Sequence, residues 1–194
     1  MATESSGSRP KRQPKRRRPP TVSVLRVGHR PGRDPRLTTH VALVARAFGA
    51  HELLLQPPDP ELAGRLDAIS TRWGGRFRVR GVDDWRAALR QFEGASVHLT
   101  MYGQPMARVL QQLRRHPSIL LVVGGAKVPA DLFRRATFNV AVGSQPHSEV
   151  AAVAIMLDRL HGIPAAAAWA GARRTIVPQA RGKKVRETAR PGGT

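Results

Sequence analysis

Apolar and polar positions along the chain fall into two alternating patterns. Thr21-Val22-Ser23-Val24-Leu25-Arg26-Val27 alternates with period two, as a strand does. Over residues 39–48, Val41, Val44, Ala45 and Phe48 recur at helical spacing, and the stretch stops at Gly49. The exchange then repeats. Residues 52–56 predict a strand, residues 60–73 a helix with Leu62, Leu66 and Ile69 on one side, and residues 77–80 a strand. Asp83-Asp84-Trp85 opens a helix, because acids in a first turn complement the helix dipole. Residues 95–100 read as strand and residues 104–115 as helix. Ile119–Val123 is a continuous apolar run, typical of a strand buried on both faces. A short helix at 130–133, a strand at 138–142 and a helix at 149–160 follow.

Strands that alternate with helices predict an α/β fold, a mainly parallel sheet with helices on both faces. After Gly162 the pattern fails. Thr175-Ile176-Val177 and Lys184-Val185 predict a small hairpin across residues 178–182. The expected organisation is a basic arm at 1–20, one domain at 21–162 and a basic extension at 163–194.

Charge adds a second signal. The 194-residue chain carries 33 Lys and Arg against 13 Asp and Glu, a net +20, which attracts polyanions and points to nucleic acid. The excess is uneven: residues 1–20 and 163–194 each carry a net +6. No cysteine is present, which excludes disulfides, thiolate zinc sites and cysteine nucleophiles. His40 and His147 lack further ligands at metal spacing, so no metal is expected. No apolar run reaches the roughly 18 residues of a membrane span, and the basic N-terminus meets Pro19-Pro20 instead of an apolar segment. The expected location is the cytoplasm, away from membranes.

Three segments place glycine or polar residues just after a strand, where open parallel sheets bind ligands. They are His98-Leu99-Thr100-Met101-Tyr102-Gly103, Val123-Gly124-Gly125-Ala126-Lys127-Val128-Pro129 and Val142-Gly143-Ser144-Gln145-Pro146-His147-Ser148-Glu149. A shared pocket is expected from them. The P-loop pattern is absent, and no G-x-G-x-x-G follows the first strand. No G-x-S-x-G supports a hydrolase. A fourth segment, residues 27–40, gathers Arg30, Arg33, Arg36 and His40 beside Thr38 and Thr39. Guanidinium groups fork onto phosphates, so this loop predicts an RNA backbone clamp, while either threonine suits a helix cap.

In LRVGHRPGRDPRLTTHVALVARAFGA, HLTMYG, VVGGAKVP and NVAVGSQPHSEVAA the chain resembles the archaeal-type tRNA (cytidine(56)-2′-O)-methyltransferases, a branch of the SPOUT superfamily. The resemblance runs from about Val22 to Leu160 and on towards Val185. It implies a C-terminal trefoil knot, S-adenosylmethionine as methyl donor, a homodimer, and the T-loop of tRNA as substrate. It further implies that Leu99, Gly124, Gly125, Ala126, Lys127 and Val128, with Val142, Gly143, Ser144, Gln145, Pro146, His147, Ser148 and Glu149, hold the cofactor. The chain departs from the family pattern at Gly125-Ala126, where an alanine and an acid are usual, and at Ser144, where asparagine is common. His40 and Arg46 match the spacing of an asparagine and an arginine in the first motif of the ribose-methylating group, which makes Arg46 the expected catalytic residue. Arginine normally stays protonated, so Arg46 is expected either to act as a base with a strongly lowered pKa or, as first principles favour, to orient the hydroxyl and stabilise developing charge. Two other readings fit the same charge: a noncatalytic RNA-binding protein, and a methyltransferase acting on another nucleotide.

Overall fold

The computed structural model describes residues 18–33, 35–125, 128–163 and 169–188. Six strands form one sheet: β1 (Thr21–Val27), β2 (Glu52–Gln56), β3 (Arg78–Gly81), β4 (Ala95–Pro105), β5 (Ser118–Gly124) and β6 (Phe138–Ala141). Their order is β3-β2-β1-β5-β4-β6, and every pairing is parallel. Parallel neighbours need crossovers, and helices supply them: α1 (Pro35–Ala47), α2 (Pro60–Trp73), α3 (Trp85–Gln91), α4 (Met106–Leu113), α5 (Ala130–Arg135) and α6 (Glu149–His161).

Strand parity divides the core. Val22 and Val24 of β1, Leu53 and Leu55 of β2, and Ile119, Leu121 and Val123 of β5 face α1, α2, α4 and α6 in the larger apolar cluster. Leu25, Val27, Leu54, Leu120 and Val122 face the other way, onto Trp85 of α3 and Leu132 of α5. Both faces of the sheet are therefore covered, as the unbroken apolar runs require. The fold class expected from the alternation is thus the one observed, an α/β domain around a parallel sheet.

Two boundaries move furthest. Helix α1 starts at Pro35, a turn before the expected start, because proline suits the first turn of a helix and Thr38 is already fully buried there. Strand β4 does not stop at Thr100. Leu99 pairs with Val140, residues 100–103 leave the ladder, and Gln104 and Pro105 re-pair with Val140 and Ala141. Helix α2 begins where the sequence suggests: Asp59 caps it by accepting from the Leu62 N–H at 2.9 Å, with Pro60 in the first turn.

Beyond α6, β7 (Arg174–Ile176) and β8 (Val185–Glu187) pair antiparallel, Ile176 opposite Val185. This segment docks on α2: the Arg173 N–H donates to the Arg72 carbonyl at 3.1 Å and the Gly75 N–H to the Ala170 carbonyl at 2.9 Å.

Candidate functional site

Because the sheet is parallel, the turns after β1, β4, β5 and β6 all leave its carboxyl-end edge. Gly125 marks the point where the turns after β1, β5 and β6 meet. A Cβ built on it would lie 3.9 Å from guanidinium nitrogens of Arg26 and Arg30 and 3.9 Å from Glu149 Oε1. The turn after β5 thus touches residues from β1, the loop beyond it and the start of α6.

Arg26 is the unexpected member. It occupies the core-facing parity of β1 with Val22 and Val24, and its side chain is 2% exposed. Its Nη1 donates to the Val27 carbonyl at 2.8 Å and lies 3.3 Å from Glu149 Oε2. Glu149 is held in turn by its place in the first turn of α6, where the helix dipole favours an acid and Ser148 accepts from the Val150 N–H at 3.2 Å. A charge this deep is stable only when paired. The sequence signal for Arg26 was present: a cation stood at an inward position of an apolar strand.

The expected cofactor residues are found as follows. Leu99 sits in the packed core at this edge, in register with Val140. Gly124 ends β5 opposite Val27, with Val128 folded over it so closely that a Cβ at position 124 would meet Val128 Cγ1 at 2.2 Å. Ala126 and Lys127 lie outside the described residues. Val142 is half-buried, while Gly143, Ser144, Gln145, Pro146, His147 and Ser148 form an exposed loop leading to Glu149. Within it His147 Nδ1 donates to the Gln145 carbonyl at 2.6 Å. Among the clamp candidates, Arg30 and Arg33 are exposed on a turn closed by the Arg33 N–H donating to the Arg30 carbonyl at 3.0 Å. Arg36 and His40 are exposed on the first half of α1.

Within one chain Arg46 is not brought to this edge, so the catalytic role expected of it would have to be exercised in the site of a second copy. It stands eleven residues after Pro35 in α1, about 16 Å along the helix axis, near the amino-end edge of the sheet. There its Nη2 donates to the Gly74 carbonyl at 2.6 Å and its guanidinium lies over the Trp169 ring, 4.9 Å from the centroid. Burial pushes its pKa below the ordinary arginine value. Gly74 and Gly75 have positive φ of 77° and 88°, and a Cβ on either would strike Trp169 or its neighbours within 3 Å. Arg46 is therefore a staple for the C-terminal segment. A cleft of about 340 Å³ opens at this same amino-end edge, lined by Pro20, His51, Phe77, His161 and Trp169 among others, and shares no residue with the three loops.

Comparison with known proteins adds independent information. Residues 73–186 match the family described as tRNA ribose 2′-O-methyltransferase, aTrm56. The chain is 47% identical over 169 residues to the tRNA (cytidine(56)-2′-O)-methyltransferase of Cenarchaeum symbiosum, covering 86% of this chain and 97% of that protein. It is 49% identical over 167 residues to the protein of the same name from Methanothrix thermoacetophila, covering 84% and 96%. Among solved structures, the A. aeolicus TrmH/SpoU tRNA modifying enzyme superposes with a TM-score of 0.57 at 14% identity, over 74% of this chain and 75% of that one. The SpoU methyltransferase AviRb of Streptomyces viridochromogenes, in complex with AdoMet, gives 0.54 at 16% identity over 74% and 57%.

Proposed function

The chain belongs to the tRNA (cytidine(56)-2′-O)-methyltransferase family, and from that premise we propose that the carboxyl-end edge of its sheet is the active site, with Arg30 and Glu149 at the reacting ribose. The protein is a tRNA ribose 2′-O-methyltransferase that uses S-adenosylmethionine. One observation carries the site assignment: three separate turns and the Arg26–Glu149 pair converge on Gly125.

The residues there suit the donor. Gly125 leaves backbone groups open to a ligand, Gly124 lets Val128 close over the strand end, Leu99 and Val128 supply apolar walls, and residues 142–148 supply a polar rim. S-adenosylmethionine supplies an electrophilic methyl group when bound. The protein's own part is to orient the 2′-hydroxyl and manage its proton and developing charge. Arg30 presents a guanidinium that orients the oxygen and stabilises negative charge on it. Glu149 is the carboxylate to which the hydroxyl proton passes as the bond forms. Arg26 fixes that carboxylate from beneath the sheet edge. Arg33, Arg36 and His40 extend the cationic surface for the RNA backbone. Ala126 and Lys127 complete the cofactor loop in this reading.

The same reading includes a knotted C-terminal half, a basic arm at 1–20, a basic extension at 163–194 and a homodimer acting in the cytoplasm. Exposed Ile155 on α6 and Ile163 just after it support a second copy packing there, and light scattering tests it. Among the described residues no helix is long and apolar enough to cross a membrane.

The test is incubation with tRNA transcript and donor, followed by mapping of 2′-O-methyl groups. Methylation at cytidine 56 is expected. Alanine at Arg30, Arg33 and Arg36 together should weaken tRNA binding and lower the salt slope by about three. An unchanged slope refutes the clamp.

A further inference from the structure

His29 is the best-anchored side chain in the loop that bears Arg30. It is 2% exposed, and both ring nitrogens are engaged. Nε2 donates to Asp59 Oδ2 at 3.0 Å, and Nδ1 lies 2.8 Å from Thr38 Oγ1. Its backbone N–H donates to the Gln56 carbonyl at 2.9 Å, and the Gly28 N–H donates to Gln56 Oε1 at 3.3 Å. One residue thus joins the loop after β1 to the end of β2, the start of α2 and the first half of α1.

The acceptor on one side is fixed. Asp59 is held below the usual carboxylate range, first by the Leu62 N–H at the start of α2 and then by His29 itself. It is therefore ionised, and Nε2 carries the hydrogen that faces it. With a neutral ring, the Thr38 hydroxyl donates into Nδ1. With an imidazolium, Nδ1 donates to the Thr38 oxygen. Either way every polar atom in the relay is satisfied.

A hydroxyl, an imidazole and a carboxylate in line also describe a nucleophilic relay. Thr38 has no exposure, however, so no substrate reaches its oxygen. The relay is built to hold and not to react. What it holds is adjacent in sequence: His29 points inward, Arg30 points outward, and a single peptide plane links them.

We propose that His29, through Thr38 and Asp59, is a positioning residue that sets where Arg30 stands against the tRNA. The inference rests on the reading of Arg30 as an RNA contact. It assigns to three residues with no RNA contact of their own a share of tRNA affinity that passes through one guanidinium. Small misplacements of a binding group are costly, since about 1 Å can forfeit two orders of magnitude.

The experiment is a double-mutant cycle read by tRNA binding, with S-adenosylmethionine affinity and thermal unfolding as controls on the fold. His29→Gln should weaken binding of tRNA transcript about tenfold, the scale of one lost hydrogen bond in a buried network. In an Arg30→Ala background the same change should cost less than about twofold, because the two act in series. Thr38→Val should repeat the His29→Gln result, and Thr38→Ser should restore wild-type binding. These two variants keep the question answerable if His29→Gln fails to fold. Equal losses in both backgrounds would overturn the inference while leaving the clamp intact. No loss of tRNA affinity in Arg30→Ala alone would overturn the clamp reading and the inference with it.

Discussion

Replacing Arg46 by alanine separates two accounts of this residue. The sequence motif makes it catalytic, whereas its contacts make it a staple. The substitution removes a hydrogen bond from a charged donor to the buried Gly74 carbonyl, worth about 1.5–3 kcal/mol. It also removes the stacking over Trp169, worth about 0.5–2 kcal/mol. Arg46 Nε is buried without a partner among the described residues, and losing it returns about 1 kcal/mol. The net destabilisation centres near 2.5 kcal/mol, which for a chain of this size lowers Tm by roughly 5–10 °C. Differential scanning calorimetry measures that shift, and single-turnover methylation of tRNA at 25 °C measures the chemistry. If Arg46 acts only as a staple, the folded variant keeps its methyl-transfer rate within about twofold, because a group that touches no reacting atom adds nothing to transition-state binding. A rate that collapses while Tm holds would refute the argument and return Arg46 to the reaction, in its own or a partner's active site.

Other perturbations probe the opposite edge. Gly125→Ala places a methyl at ordinary contact distance from Arg26, Arg30 and Glu149 and should be tolerated, whereas Gly125→Leu fills the space between them; kcat/KM should fall at least about a hundredfold in the leucine variant with Tm unchanged. Glu149→Gln removes the charge facing buried Arg26 and should cost about 3–5 kcal/mol at most, together with a fall in kcat larger than any rise in the KM for tRNA. His98 is held below the ordinary histidine value, chiefly by burial and against the opposing bond to Asn139. The unfolded chain therefore binds more protons just below pH 6.5, so this contribution is complete above that value and declines as the solution is acidified. Tm measured across pH should fall less steeply on the acid side in His98→Gln than in the parent.

Most of the sheet could be read from the chain because β1, β2 and β5 are buried on both faces and carry unbroken apolar runs. The limits of β4 could not. Gln104 and Pro105 look like the start of a helix, and only their tertiary pairing with Val140 and Ala141 makes them strand. Likewise Pro35 begins α1 because Thr38 is drawn inward by His29, a contact between segments with no trace in local periodicity. At the site, glycine-bearing turns after strands were visible as sequence, since backbone approach demands them. Alternation alone misses Arg26, because it treats any polar residue in a strand as outward, while the parity of Arg26 is that of Val22 and Val24. The edge that Arg46 reaches is not legible in the sequence either. Motif spacing says which residues share a helix, but a helix that recrosses the sheet carries its last turn to the far edge.

The position of β5 has a consequence for biogenesis. It lies in the middle of the sheet, between β1 and β4, yet it is the fifth strand to leave the ribosome. Until Ser118–Gly124 has emerged, β1 presents one apolar side with unpaired amide groups, the kind of edge that invites intermolecular pairing. Closure of the centre joins segments almost a hundred residues apart and must await most of the translation product. A nascent chain halted before residue 118 should therefore be prone to aggregate, and release of a competent enzyme should be gated by the arrival of a single seven-residue strand.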